Sequence, residues 1–373
     1  MDNVTHTLFA ATLARTPLGR AGPGTTAALI IASNIPDVDI VMTAGGAVDY
    51  LRWHRGPTHG PLGVIGLGLV TATIITVAYR LIEHGPRGFR RATDSDLAPF
   101  PMLVVVSTIG TLLHVLMDLP TSYGTRMLSP FDWLWFAVDW MPIIDVWLLI
   151  VLVACLLFGF RSPAARRWNA VIVLAFMAAN YGLRGAAHRQ ALAIAPRLLG
   201  PTLPEPCSPE TTRWQILDAW PRAPVTMPVL AAGTRCLVEI AAIPTFMSPF
   251  TWRIVAQMSN AYELYDLDLL DARVRGDSSG EHAFWRHVRR FPNVWTPAVA
   301  RAAETHTGRV YLGFSRFPAV RTFTDPDGFT TVRWDDMRFV AAPVPRGDRR
   351  SSLFTVTVRV DADGKILSER LGQ

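Results

Sequence analysis

HRGPTHGPLGVIGLGLVTATIITVAYR, residues 54–80, joins two signals that decide the architecture. Its second part, Pro61–Arg80, carries no charge before its terminal arginine. A helix of about 20 such residues crosses the hydrocarbon of a bilayer. Its first part sets His54 and His59 on either side of Gly56-Pro57, a turn that can bring two imidazoles together. The stretch therefore predicts a membrane span with a chemically equipped loop at its mouth.

Working outward, Phe100–Leu119 and Ile143–Phe160 also read as spans, and Trp168–Leu183 as a shorter one that is nearly free of charge. Thr25–Ala44 starts equally apolar but is interrupted by Pro36, Asp37 and Asp39. Proline disfavours helix at the residue before it, so this segment is expected to break at Ile35–Pro36. Broken backbone at membrane depth survives only against protein or a water-filled cavity. Val4–Leu18 reads as a short helix packed on it. Composition agrees: half of the 373 residues are hydrophobic and 18% are charged, against roughly 25% in a soluble protein. Mean hydropathy is +0.24.

The net charge of +6 comes from arginine, Lys365 being the only lysine. No basic stripe with interleaved aromatics appears, which argues against nucleic acid as a partner. The N-terminus lacks the basic region and cleavage site of a secretory signal, leaving the spans themselves to direct insertion. Arg87, Arg90 and Arg91 follow the first strong span, and Arg161, Arg166 and Arg167 lie between the last two. Arg15 and Arg20 fall on the same side. Positive charge stays inside, so that side is assigned to the cytoplasm of a multi-pass bacterial inner-membrane protein. His54–His59, the Asp118–Pro142 loop and everything after residue 188 fall on the other side. Trp133, Trp135, Trp140 and Trp147 around that loop suit an interfacial belt.

Near residue 188 the composition changes, which predicts two domains: an all-α membrane domain over 1–188 and an extracytoplasmic α+β domain over 189–373. Ser259–Val274 looks helical. Arg309–Phe314, Thr331–Trp334, Arg338–Ala342 and Leu353–Val360 look like strands, with turns at Asp325–Gly328 and Asp361–Gly364. Cys155 sits in an apolar run as inert packing. Cys207 and Cys236 form no CxxC pair, and a disulfide between them requires an oxidising compartment.

The residues that carry chemistry gather in the membrane half. His6 lies on the first helix, Asp37 and Asp39 follow the proline break, and His54 and His59 flank the turn. His114 and Asp118, four apart, share one helix face. All seven fall on one side of the membrane in this topology. Imidazole and carboxylate together suit zinc, manganese or iron, and seven such donors suffice for one to three ions, zinc first. Metal-activated water then suits hydrolysis, with Asp37 or Asp118 as base and Arg126 in TSYGTR as a planar donor fork for an anion. Each residue alone also has a plainer use, Asp37 or Asp39 as a helix cap and Arg126 as a snorkelling arginine. The joint pattern matters because ionisable groups at membrane depth are costly. Asp132, Asp139, Asp145 and His188 are unranked neighbours, and His282, His287 and His306 show no ligand spacing.

Thr5-His6, Ile35-Pro36-Asp37-Val38-Asp39, His54-Arg55-Gly56-Pro57-Thr58-His59 and His114-Val115-Leu116-Met117-Asp118, running into Thr121-Ser122-Tyr123-Gly124-Thr125 and Ser129-Pro130-Phe131, resemble the YdjM-like family of bacterial membrane proteins. That family is described as LexA-binding, inner-membrane-associated, metal-dependent hydrolases. The resemblance covers roughly residues 1–190. Ser248–Arg253 and Trp334–Phe339 resemble its longer members, with Ser248 standing where asparagine is expected. It implies a helical core distantly similar to zinc-dependent phospholipase C and P1-type nucleases. It also implies an ester or phosphoester substrate, here lipid-like and met among membrane lipids, and a regulatory protein partner. Two other classes compete: a non-catalytic binding protein with a structural metal, marked by a closed coordination sphere, and a transporter, marked by an inverted repeat. No such repeat is seen in the sequence.

Overall fold

The computed structural model describes residues 1–83, 97–158, 162–199, 203–207, 217–221, 235–271, 288–293, 295–340 and 354–372. Arg87, Arg90, Arg91, Arg161, His282 and His287 lie outside them. The chain divides into two compact units, Met1–Met42 with Trp53–Leu183, and Thr43–Arg52 with Arg184–Gln373.

The first unit is helical. Helix α1 (Asn3–Leu13) starts where the Asp2 carboxylate accepts the Thr5 N–H, and it buries Thr5, His6, Phe9 and Ala10 at helical spacing. Helix α2 (Thr25–Ala32) passes into a 3-10 segment, Ile35–Gly45, bent by 42° from it. The expected break is present, two residues earlier than the proline alone suggests. After the short α3 (Ala47–Trp53) come α4 (Pro61–Glu83) and α5 (Phe100–Asp118), packed on each other and on α2 through Ala28, Leu29, Ala72, Ile75, Leu103 and Val106. Gly110 on α5 permits a close approach to α2: a Cβ there would lie 2.8 Å from the Ala32 Cβ. Small residues at such crossings are how helices pack where no water drives them together.

Among the described residues three helices are long and apolar enough to cross a membrane: Pro61–Ile82, Phe100–Asp118 and Ala164–Leu199. The bent pair α2 with Ile35–Gly45 makes a fourth if it counts as one span. The span expected at Ile143–Phe160 starts three residues later than read. Helix α6 (Val146–Phe158), 13 described residues or about 20 Å, begins at Val146 because Asp145 caps it. The Asp145 carboxylate accepts the Leu148 N–H at 2.8 Å and its carbonyl the Leu149 N–H at 3.0 Å. At the far end the Arg15 guanidinium donates to the Cys155 and Leu156 carbonyls. Trp168–Leu183, read as a short span, is part of the 37-residue helix α7 (Pro163–Leu199). Residue 188 lies inside that helix. Composition changes there but backbone preference does not, because alanine, the best helix former, recurs. Of the belt tryptophans, Trp133 and Trp147 are exposed and Trp135 is fully buried.

The second unit is built on strands. After β1 (Trp135–Ala137) in the first unit and β2 (Asp218–Trp220), strands β3 (Leu237–Pro244), β4 (Thr251–Met258), β5 (Ala261–Asp268) and β6 (Arg289–Pro292) form one antiparallel sheet. Strands β7 (Pro318–Thr324), β8 (Thr330–Asp336), β9 (Thr355–Val360) and β10 (Ile366–Gly372) form a second antiparallel meander. The first sheet is covered on both faces. Trp252, Ile254, Ala256 and Met258 meet Ala187, Ala191, Ala195 and Leu198 of α7, while Val255, Tyr262 and Leu264 meet Phe317, Ala319 and Met337. Cys207 and Cys236 are bonded.

Three expectations fail here. Ser259–Val274 is no helix: its described part holds β5, in which Tyr262 and Leu264 face one core and Tyr265 and Leu267 the other, a period of two. Arg309–Phe314 is no strand but the end of a helix, α9 (His306–Phe314), which follows α8 (Pro297–Ala303). Thr305 caps α9 through the Gly308 N–H, and Thr307, Gly308, Tyr311 and Phe314 are buried at helical spacing. The described part of Arg338–Ala342 is a turn, in which Asp336 accepts the Arg338 N–H on its carboxylate and the Phe339 N–H on its carbonyl. Strands β1, β2, β3, β4, β6, β7 and β10 went unread. The strands at Thr331–Trp334 and Leu353–Val360 correspond to β8 and β9, and the Asp325–Gly328 and Asp361–Gly364 turns are present.

Candidate metal centre

Four of the seven expected donors converge in the first unit: Asp37, His59, His114 and Asp118, with one ligand atom of each within 4.8 Å of all the others. His59 Nε2 lies 3.3 Å from His114 Nε2, 3.6 Å from Asp37 Oδ1 and 3.5 Å from Asp118 Oδ2. His114 Nε2 lies 3.5 Å from Asp37 Oδ1 and 3.4 Å from Asp118 Oδ2. A tetrahedron with metal–ligand bonds of ~2.0–2.2 Å has edges of about 3.3–3.6 Å. These five separations match it.

Protonation supports the same conclusion. The Nδ1 of His114 lies 2.8 Å from the Ser33 carbonyl oxygen. A carbonyl can only accept, so Nδ1 carries the proton and Nε2 presents a lone pair to the cluster. Asp118 Oδ2, buried, has no hydrogen-bond donor. An unmatched buried acceptor facing a lone pair is unfavourable unless a cation lies between them. The donor set thus fits a divalent ion. The approach of α2 at Gly110, one turn before His114, is what brings the Ser33 carbonyl within reach. Gly60, directly after His59, is similarly obligatory, since a Cβ there would lie 1.7 Å from the Ser129 carbonyl oxygen.

Burial pushes the His59 imidazole down to about 3, against the opposing pull of its Asp37 hydrogen bond. His6 is also lowered, by burial and then by neighbouring His114, and His54 by burial against the hydrogen bond it donates to Asp39. All three are neutral near pH 7, the form a metal requires.

The other expected ligands stand beside the set. His6 stacks on His114, with ring centroids 3.9 Å apart, and its Nε2 is 3.4 Å from Asp118 Oδ1, the oxygen turned away from the cluster. The Met1 amino group contacts that same oxygen. Asp39 and His54 form their own pair at 3.3 Å, and Asp39 also accepts the Arg55 N–H at 2.6 Å. Arg126 is buried with its guanidinium over Trp135 at 4.5 Å, and burial lowers its pKa to about 10. Asp132 caps the Leu134 N–H, Asp145 caps α6, and His188 packs on Trp252 in the second unit. Sequence reading left Arg55, Ser33 and Gly110 without a role. Arg55 stood in plain view between the two histidines of HRGPTH, whereas Ser33 and Gly110 carry no local signal.

The YdjM inner membrane protein family matches residues 1–191. The chain is also similar to "Uncharacterized protein YfhP" of Bacillus subtilis (strain 168), 26% identical over 184 residues, which cover 47% of this chain and 51% of that protein. The match thus spans about half the length of that relative. No solved structure matches. The family match takes in 191 of 373 residues and every member of the His/Asp cluster, and the chain belongs to the YdjM inner membrane protein family.

Proposed function

We propose that this protein is a membrane-bound metal-dependent hydrolase of ester or phosphoester bonds, acting on a lipid-like substrate. The observation that carries the proposal is the convergence of four donor atoms, five of whose six separations match a tetrahedron's edges, with Asp118 Oδ2 lacking any proton donor. Asp37, His59, His114 and Asp118 would hold a divalent ion, proposed as zinc, which would supply Lewis acidity to activate water. The His59, His114 and Asp118 side chains are fully buried, and that of Asp37 is 16% exposed. Water and substrate therefore reach the cluster on the Asp37 side, and its carboxylate is the group placed to accept a proton. Arg126 keeps its proposed role as a cation for an anionic substrate group. The kinship of the core with zinc-dependent phospholipase C and P1-type nucleases belongs to this proposal and rests on the donor set alone.

The second unit belongs outside the cytoplasm in this proposal. Its Cys207–Cys236 disulfide suits an oxidising compartment, and Arg166 and Arg167 near the start of α7 suit a cytoplasmic start for that helix. A second reading has one observation in its favour. Four protein donors close a tetrahedron, which is the pattern of structural zinc, and a regulatory binding protein would need no open position. Elemental analysis of purified protein, followed by a screen of ester and phosphoester vesicle substrates, decides between them. Bound metal with turnover abolished by Asp37→Asn supports the hydrolase. Bound metal with no turnover on any substrate favours the binding protein.

A further inference from the structure

Asp118 is shared between two environments. Its Oδ2 faces His59 Nε2 and His114 Nε2, while its Oδ1 lies 3.2 Å from Arg55 NH2. Arg55 is almost fully buried and is tied to two further segments. Its NH1 donates to the Gly124 carbonyl at 2.9 Å, its guanidinium lies over Tyr123 at 4.8 Å, and its backbone N–H donates to Asp39 in the Ile35–Gly45 segment. Its carbonyl accepts the Arg126 N–H at 3.2 Å. Its φ is +50°, a conformation that a residue with a side chain keeps only where its surroundings enforce it. The enforcement is visible in the bonds just named. The buried Nε makes no hydrogen bond, so the two terminal nitrogens do the holding, one on Gly124 and one on Asp118.

We propose that Arg55 is the positioning residue of the centre: it occupies one oxygen of Asp118 and so reserves the other as a single-atom donor to the ion. The inference rests on the metal reading above. A free carboxylate beside a dication can chelate through both oxygens, which raises the coordination number. Satisfying Oδ1 with the guanidinium, beside the Met1 amino group and His6 Nε2 that meet the same oxygen, removes that option and holds the protein's own donor atoms at four. The guanidinium offsets one of the two carboxylate charges, so a bound ion would keep its Lewis acidity. Lysine cannot replace it, because a single ammonium cannot reach the Gly124 carbonyl and Asp118 in the planar arrangement that the fork provides. Asp39, expected as a ligand, holds the backbone of this residue instead, and Arg55 thereby couples the broken-helix segment to the end of α5.

The test is cobalt(II) binding to detergent-solubilised full-length protein, read by visible absorption and by competition with a chromophoric chelator. It compares the parent with Arg55→Gln and Arg55→Lys, and measures the thermal unfolding of each without metal. Tetrahedral cobalt(II) absorbs far more strongly than higher-coordinate cobalt(II). The parent should show intense bands. Both variants should bind about 10–100-fold more weakly, the usual effect of removing a group that orients a ligand, and with weaker bands. Arg55→Lys should recover part of the affinity but not the band intensity. Variants that match the parent in affinity and bands, yet unfold at lower temperature, would reduce Arg55 to a fold-holding ion pair and overturn the proposal. If Arg55→Gln does not fold, Arg55→Lys, which keeps the charge, is judged by the same two readouts. A parent that takes up no cobalt refutes the centre and this proposal together, whereas a cobalt-binding parent with unaltered variants refutes the role of Arg55 alone.

Discussion

Replacing His114 and His54 one at a time separates the centre drawn here from the wider seven-donor set that the sequence suggests. His114 supplies one of the four converging atoms, its ring is fully buried, and its Nδ1–H is bonded to Ser33. Four-ligand zinc sites in small domains bind with about 10–16 kcal/mol, or roughly 3 kcal/mol for each ligand. His114→Ala should therefore weaken zinc binding by at least about 100-fold. It also strands the Ser33 carbonyl, at about 1–3 kcal/mol of fold stability. His54 donates to Asp39, whose carboxylate also accepts the Arg55 N–H, and is not one of the four converging donors. His54→Ala should cost at most about 10-fold in affinity, at the low end for a group outside the donor set. The assay is zinc competition against a chromophoric chelator in detergent, with elemental analysis of the purified variants. Equal losses in the two variants would mean that the ion is held by a different set, and a parent that binds no zinc would remove the centre.

Other consequences are as direct. Gly110→Val should destabilise the first unit by about 1–3 kcal/mol through overpacking against Ala32 and should weaken metal binding as Ser33 moves off His114; thermal unfolding and zinc titration check both. His6, His54 and His59 have folded pKa values below the ordinary 6.5, so the unfolded chain binds more protons between that value and the lower folded ones. Metal-free protein should thus be at full stability above about pH 6.5 and lose it progressively towards about 3, the His59 value; a denaturant series that grows more stable over that fall contradicts the burial of these rings. Removing the disulfide with Cys207→Ser, across a sequence separation of 29, should cost the second unit about 3–4 kcal/mol on a chain-entropy model, and a reporter fused after Leu371 should behave as periplasmic. Arg126→Ala should leave metal content unchanged and lower turnover on an anionic substrate by about 2–4 kcal/mol; full activity would leave that arginine to its stacking on Trp135.

The sequence by itself determined the membrane character, two of the spans, the break before Asp37 and the pool from which the donors are drawn. These are statements about local composition and periodicity, and an uncharged run of twenty residues has few alternatives. It also placed His114 and Asp118 on one face, since helical spacing alone does that. Which donors meet was decided only in three dimensions. Asp37 and Asp39 are two residues apart, yet the 3-10 turn sends Asp37 to the cluster and Asp39 to the Arg55 backbone. The proton on His114 depends on a carbonyl 81 positions away, admitted by a glycine on α5. In the second unit, β5 and α9 were read the wrong way round because short segments take their conformation from their neighbours. Ala261–Asp268 is a strand because β4 and β6 pair with it and both its faces are covered, and His306–Phe314 is a helix because Thr305 caps it and Tyr311 and Phe314 fill the core.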